Sequence, residues 1–177
     1  MRKILAGLLS VVGFGNAGAQ TPSPPPAEAM AGLRSMVLGL APGEIGLSPE
    51  SYPGKVWGVV METGLEGGFY TLVAMADGST SLYFSTGGGI LGGGEHERVR
   101  EASRELLAVA DRLASAAAPA AGTAPPGTGF TQFFLLTFEG LLSYSAPEVE
   151  LGEQRDPLAP LFHAGHAVIT QLRHVAP

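Results

Sequence analysis

The sequence predicts one α+β domain: an antiparallel sheet of five or six strands in a two-layer arrangement, with two long helices and a short N-terminal helix. Three observations lead there. Three β-rich runs follow one another over residues 56–85, the last two separated by Asp77-Gly78. A long amphipathic segment follows at 95–118, and 131–174 repeats the pattern as two or three strands and a helix. With 177 residues, 45% hydrophobic and 15% charged, the chain is long enough for one buried core.

At the N-terminus, Arg2 and Lys3 precede the apolar run Ile4–Phe14, and Ala17-Gly18-Ala19 precedes Gln20. A positive start, a short apolar stretch and an Ala-x-Ala box make residues 1–19 a signal peptide cut after Ala19. The run is shorter than the roughly 20 apolar residues that span a bilayer. Cleavage removes Arg2 and Lys3 and takes the net charge from −6 to −8. The expected location is periplasmic or secreted; the alternative is a cytoplasmic protein with a short N-terminal tail. Residues 20–27, with Pro22, Pro24, Pro25 and Pro26, read as an extended linker. The domain then occupies 28–177.

Within it, Met30, Leu33, Val37 and Leu40 recur at helical spacing, so a short helix is expected over 28–40, weakened by Gly32 and Gly39. Residues 41–54 read as a loop. VWGVVMET (56–63) is a buried-looking strand, and 69–76 and 79–85 are two more. Asp-Gly between β-rich runs is a hairpin signal, expected here as a type I′ turn within a three-stranded meander. From 95 to 118, Val99, Ala102, Leu106, Val109, Leu113 and Ala117 share one helical face, with Arg98, Glu101, Glu105 and Arg112 mainly on the others. Pro119 opens a flexible internal linker, 119–129. Residues 131–139 and 141–145 read as strands, with 148–151 as a further one. Asp156 as N-cap and Pro157 as first residue start a final helix running to His174.

The charge balance and the interleaving of Arg98, Arg100 and Arg104 with Glu97, Glu101 and Glu105 leave no uncompensated basic face, so nucleic acid is not an expected partner. Zero cysteines rule out disulfides, thiolate metal sites and cysteine nucleophiles. No GxSxG elbow and no Gly-Lys-Ser/Thr sequence occurs.

Candidate chemistry centres on the stretch 81–104. Gly87, Gly88, Gly89, Gly92, Gly93 and Gly94 separate a strand from the long helix, and Gly87-x-Gly89-x-x-Gly92 formally fits a dinucleotide-binding fingerprint. An antiparallel hairpin before it, no acidic residue on a following parallel strand, and Glu95 and Glu97 in the helix's first turn all weigh against that reading. The glycines otherwise permit a tight exit from the sheet, close approach of another backbone, or contact with a ligand or partner. His163 and His166 stand three apart on the last helix, and His96 follows the glycines. Together they would hold a metal only if the glycine loop folded over that helix, so neither metal nor cofactor is expected. Glu62 is a lone carboxylate in an apolar strand, a candidate general base if it faces inward and a solvated strand-end group otherwise.

The element order resembles that of profilin-like and roadblock-like modules, an architectural likeness without shared motifs, and fold alone does not give function. The expected function is a non-catalytic protein-interaction module whose partner is another protein. The alternative is a small-ligand-binding or hydrolytic domain using the loop 87–94 with Glu62, His96, His163 and His166.

Overall fold

The computed structural model describes residues 24–175, so the predicted leader and residues 20–23 lie outside the described residues. In chain order the elements are α1 (Pro26–Leu38), β1 (Val56–Leu65), β2 (Gly68–Met75), β3 (Thr80–Phe84), β4 (Gly89–Ile90), α2 (Glu97–Leu113), β5 (Ala118–Pro119), β6 (Phe130–Thr137), β7 (Gly140–Pro147), α3 (Glu148–Gly152) and α4 (Ala159–Val175). The strands form one sheet in the order β4-β3-β2-β1-β6-β7-β5, antiparallel at every strand pairing. This is the α+β class that the sequence predicts, with seven strands rather than five or six. The two additional strands, β4 and β5, are two residues long and sit at the outer edges. Such short edge strands offer few backbone groups of their own, although β5 pairs only with Leu142 and Ser143 of β7.

Hydrophobic alternation sorts the strands into two faces. Val59 and Met61 of β1 pack with Leu72, Phe133 and Leu135 beneath α2 and α4, through Val99, Leu106, Leu161, Val168 and Leu172. The other face holds Val60, Val73, Tyr83, Phe134 and Leu136 under Leu33 and Val37 of α1. The sheet is therefore covered on both sides, the short α1 supplying a third layer. Trp57 reaches this second face because the β1–β6 register shifts between Val56 and Gly58. The extra residue of that bulge turns Trp57 away from the side that plain alternation would give it.

Three local expectations change. The β2–β3 turn is not type I′: Gly78 has φ +88°, and Gln154 is the one non-glycine residue with positive φ among the described residues. Gly78 N–H donates to the Met75 carbonyl, and the Asp77 carboxylate accepts from Ser79 N–H at 2.8 Å, giving a longer turn that suits the same meander. Residues 148–151 are helical, not a strand; Pro147 with φ −58° starts α3, and Glu148 and Glu150 lie in its first turn. Helix α1 begins at Pro26, inside the stretch read as linker, because proline fits the first helical position. After β5, which takes in Pro119, residues 120–129 run in irregular conformation, tied down by Ala120 N–H to the Leu141 carbonyl and Gly129 N–H to the Gly64 carbonyl.

Candidate functional site

Glu62 points into the α1 face and is fully buried, not solvated at a strand end. The correction comes from Arg34, which the sequence reading passes over. Its Nε donates to Glu62 Oε1 at 2.7 Å and Nη2 to Oε2 at 2.8 Å, while Thr71 Oγ1 donates to Oε1 at 2.9 Å. The guanidinium lies 5.6 Å from the Phe69 ring centroid and 5.9 Å from that of Phe134. A planar fork satisfies both carboxylate oxygens at once, and flanking aromatic rings suit its delocalised charge. A signal for this pair exists in the sequence: Arg34 stands on the stripe Met30, Leu33, Arg34, Val37, where helical spacing demands apolar side chains. A lone cation in one apolar pattern and a lone acid in another complement each other.

Burial pushes the Tyr83 phenol well above its ordinary pKa, and the nearby Glu62 charge adds to the effect. Among the described residues the Tyr83 hydroxyl, which lies beside Thr71, and the Trp57 indole nitrogen make no well-formed hydrogen bond, and both belong to this face.

The histidines lie elsewhere. His166 is half-buried on the opposite face, its Nε2 3.4 Å from the Tyr70 hydroxyl and its ring 4.3 Å from that of Phe162. His163 is exposed, edge-on to Phe162. His96 is exposed at the N-cap of α2. Gly93, three residues before His96, lies against Leu172 near the C-terminal end of α4. His163 is nine residues earlier on that helix, roughly 14 Å along its axis at 1.5 Å per residue. The sheet separates Glu62 from His163 and His166. The four side chains singled out in the sequence thus belong to three places, and among the described residues no group of three His, Asp or Glu is arranged to hold a metal ion.

The glycine loop has a structural account. Gly87, Gly88 and Gly89 carry φ of +115°, +80° and +151° through the β3–β4 turn, and Gly92 at +74° starts the turn into α2. Gly93 and Gly94 are buried; a Cβ on Gly93 would overlap Leu172, and one on Gly94 would overlap the Gly78 carbonyl oxygen. At Gly94 backbone packs against backbone, which only glycine allows, while Gly93 makes room for the Leu172 side chain. The strand entering the loop pairs antiparallel on both sides, with β2 and β4.

Burial, then the His163 and Arg173 charges, hold His166 below the usual histidine pKa; burial raises Tyr70, beside which lie Thr63, Glu148 and Arg173. Because folding lowers the His166 pKa, the unfolded chain binds more protons between the folded value and about 6.5. Stability should therefore fall as pH drops from 7 toward 5.5. Urea midpoints across that range check it, and His166→Gln should flatten the slope.

Among the described residues, the large apolar side chains left exposed are Leu65, Phe84, Phe130 and Val149. All lie at one end of the sheet, where strand alternation places Leu65 and Phe84 on the α2/α4 side and Phe130 on the α1 side. Leu65 and Phe84 are at the C-terminal ends of β1 and β3, Phe130 opens β6, and Val149 follows β7, tied there by Glu148 N–H to the Gly129 carbonyl. From Phe84 on β3 to Phe130 on β6 is three strand spacings, about 14 Å. Tyr70, paired with Phe84, brings the contact with His166 to the same end. No helix among the described residues is long and apolar enough to cross a membrane. Comparison of the chain with protein-family models, curated proteins and solved structures returned no match.

Proposed function

We propose that the protein is an exported, non-catalytic interaction module that meets another protein through the apolar end of its sheet. The observation carrying this reading is the gathering of Leu65, Phe84, Phe130 and Val149 at that end, exposed by 38–55% of their surfaces. Exposed apolar side chains gathered around one end of a sheet favour burial against a partner that wraps that end, and aromatic residues are the usual anchors. The ionisable group most suggestive of catalysis, Glu62, is committed to Arg34 and Thr71.

The double variant Phe84→Ser/Phe130→Ser is expected to lose the wild-type protein's crosslinked partner while its melting temperature moves by no more than about 2 °C, since exposed substitutions change stability by roughly 0.5 kcal/mol. Unchanged crosslinks in a folded double variant would defeat the reading. Export is checked separately by intact mass from fractionated cells. A chain beginning at Gln20 in the periplasm or medium is expected; a full-length cytosolic chain would refute it.

A further inference from the structure

The two faces of the sheet differ in how well their buried polar groups are satisfied. On the α2/α4 side, Thr63 and Thr131 hydroxyls lie 2.9 Å apart, and those of Thr80 and Ser103 3.0 Å apart, each pair sharing a hydrogen bond. On the α1 side, the Trp57 Nε1 and Tyr83 hydroxyl make no well-formed hydrogen bond among the described residues, and the fully buried Glu62 carboxylate has Arg34 as its cation, with the Thr71 hydroxyl, which also lies beside Tyr83, as its other donor. Unpaired buried donors favour the open state, because water or another chain satisfies them there.

The cover over this face is lightly held. Leu33 and Val37 are the fully buried side chains of α1, with Met30, Met36 and Leu38, and Leu40, Ile45, Leu47 and Tyr52 of the following segment, packed around them only partly buried. The helix has no side-chain N-cap, and residues 39–55, which join it to β1, contain only one short 3-10 turn. Its principal polar tie is Arg34 to Glu62. Lifting α1 exposes Trp57, Val73, Met75, Tyr83 and Phe134, too apolar a surface to remain in water.

We propose that α1 is a displaceable cover, and that the face beneath it receives a helix of a partner protein bearing an arginine among apolar residues. Charge complementarity selects that partner. Glu62 must keep a cation when buried, and α1 itself shows the pattern that fits: apolar residues four and one before the arginine and three after it. This face is distinct from the apolar sheet end, so either proposal can fail without the other.

Hydrogen exchange on the wild-type full chain tests the cover. Amides of 33–37 are expected to exchange at least about tenfold faster than those of 59–62 in β1; equal protection would overturn the proposal. The partner chemistry is tested with a synthetic peptide of residues 24–40 as probe and the full-chain Arg34→Ala variant as receiver. Trp57, the one tryptophan in the sequence, lies under the cover and reports binding by fluorescence. The wild-type peptide should bind at least tenfold more tightly than the same peptide carrying Arg34→Ala, and adding Glu62→Met to the receiver should abolish that preference. Equal affinity of the two peptides would overturn it. So would a wild-type dimer in light scattering that exchanges α1 between copies, since the occupant would then be a second copy of this chain.

Discussion

Arg34→Met is expected to release α1 from the sheet. The substitution keeps a side chain of similar length but strips the fully buried Glu62 of its cation, a change that costs about 3–5 kcal/mol when both charges are enclosed. The loss is bounded by the free energy that docks α1, because the helix leaves once a bare buried carboxylate costs more than hydrating it. Hydrogen exchange at 33–37 should therefore accelerate by about two orders of magnitude, since 1.4 kcal/mol is a factor of ten, while β1 and β6 keep their protection. The companion Arg34→Met/Glu62→Met chain should recover most of the loss, because two apolar residues of matching volume can replace an enclosed ion pair at little cost. If the single variant keeps wild-type protection, the pair is not what holds α1. The exposed pairs of α2, Arg104 with Glu97 and Arg112 with Glu105, provide the contrast. In water such exposed, screened pairs contribute little to stability, so Glu105→Gln should be nearly silent.

The second large effect is expected at Gly94. Its α-carbon lies so close to the Gly78 carbonyl that an added methyl would overlap the oxygen, and the Gly78 carbonyl carbon would stand at 3.0 Å. The turn cannot move aside cheaply. Gly78 N–H is bonded to the Met75 carbonyl, and Ser79 is held by Asp77 through both its N–H and its hydroxyl. Overpacking against fixed backbone costs about 3 kcal/mol or more. For a domain of this size that lowers the melting temperature by roughly 6–12 °C. Gly88→Ala is the control: its added carbon meets nothing within 4 Å, and only its φ of +80° opposes the change. Left-handed backbone costs a non-glycine residue roughly 1–2 kcal/mol, so Gly88→Ala should melt clearly above Gly94→Ala. Equal behaviour would mean that close packing is not what these glycines supply.

The glycine stretch shows where reading the sequence stops. Its position between a strand and an amphipathic helix is legible from composition and period, and so is the need for unusual backbone. Whether Gly93 and Gly94 face a ligand or the protein itself depends on the Leu172 side chain and the Gly78 backbone, which lie 79 and 16 residues away in the chain, and no local pattern connects those positions. The histidines show the same boundary. Helical spacing puts His163 and His166 near one another, but the His166 partner, Tyr70, is brought by β2, 96 residues earlier.

Periodicity and turn chemistry by themselves determine the α+β class, the β1–β2–β3 meander, the amphipathic α2 and the strand–strand–helix second half. These follow from which side chains must leave water and from where the backbone can bend, both properties of short windows. Tertiary structure alone decides that α1 covers the second face of the sheet, that a bulge turns Trp57 toward it, and that Glu62 is enclosed with Arg34. Each of these depends on which distant surface completes a burial or neutralises a charge, and that free energy exists only once the two segments meet.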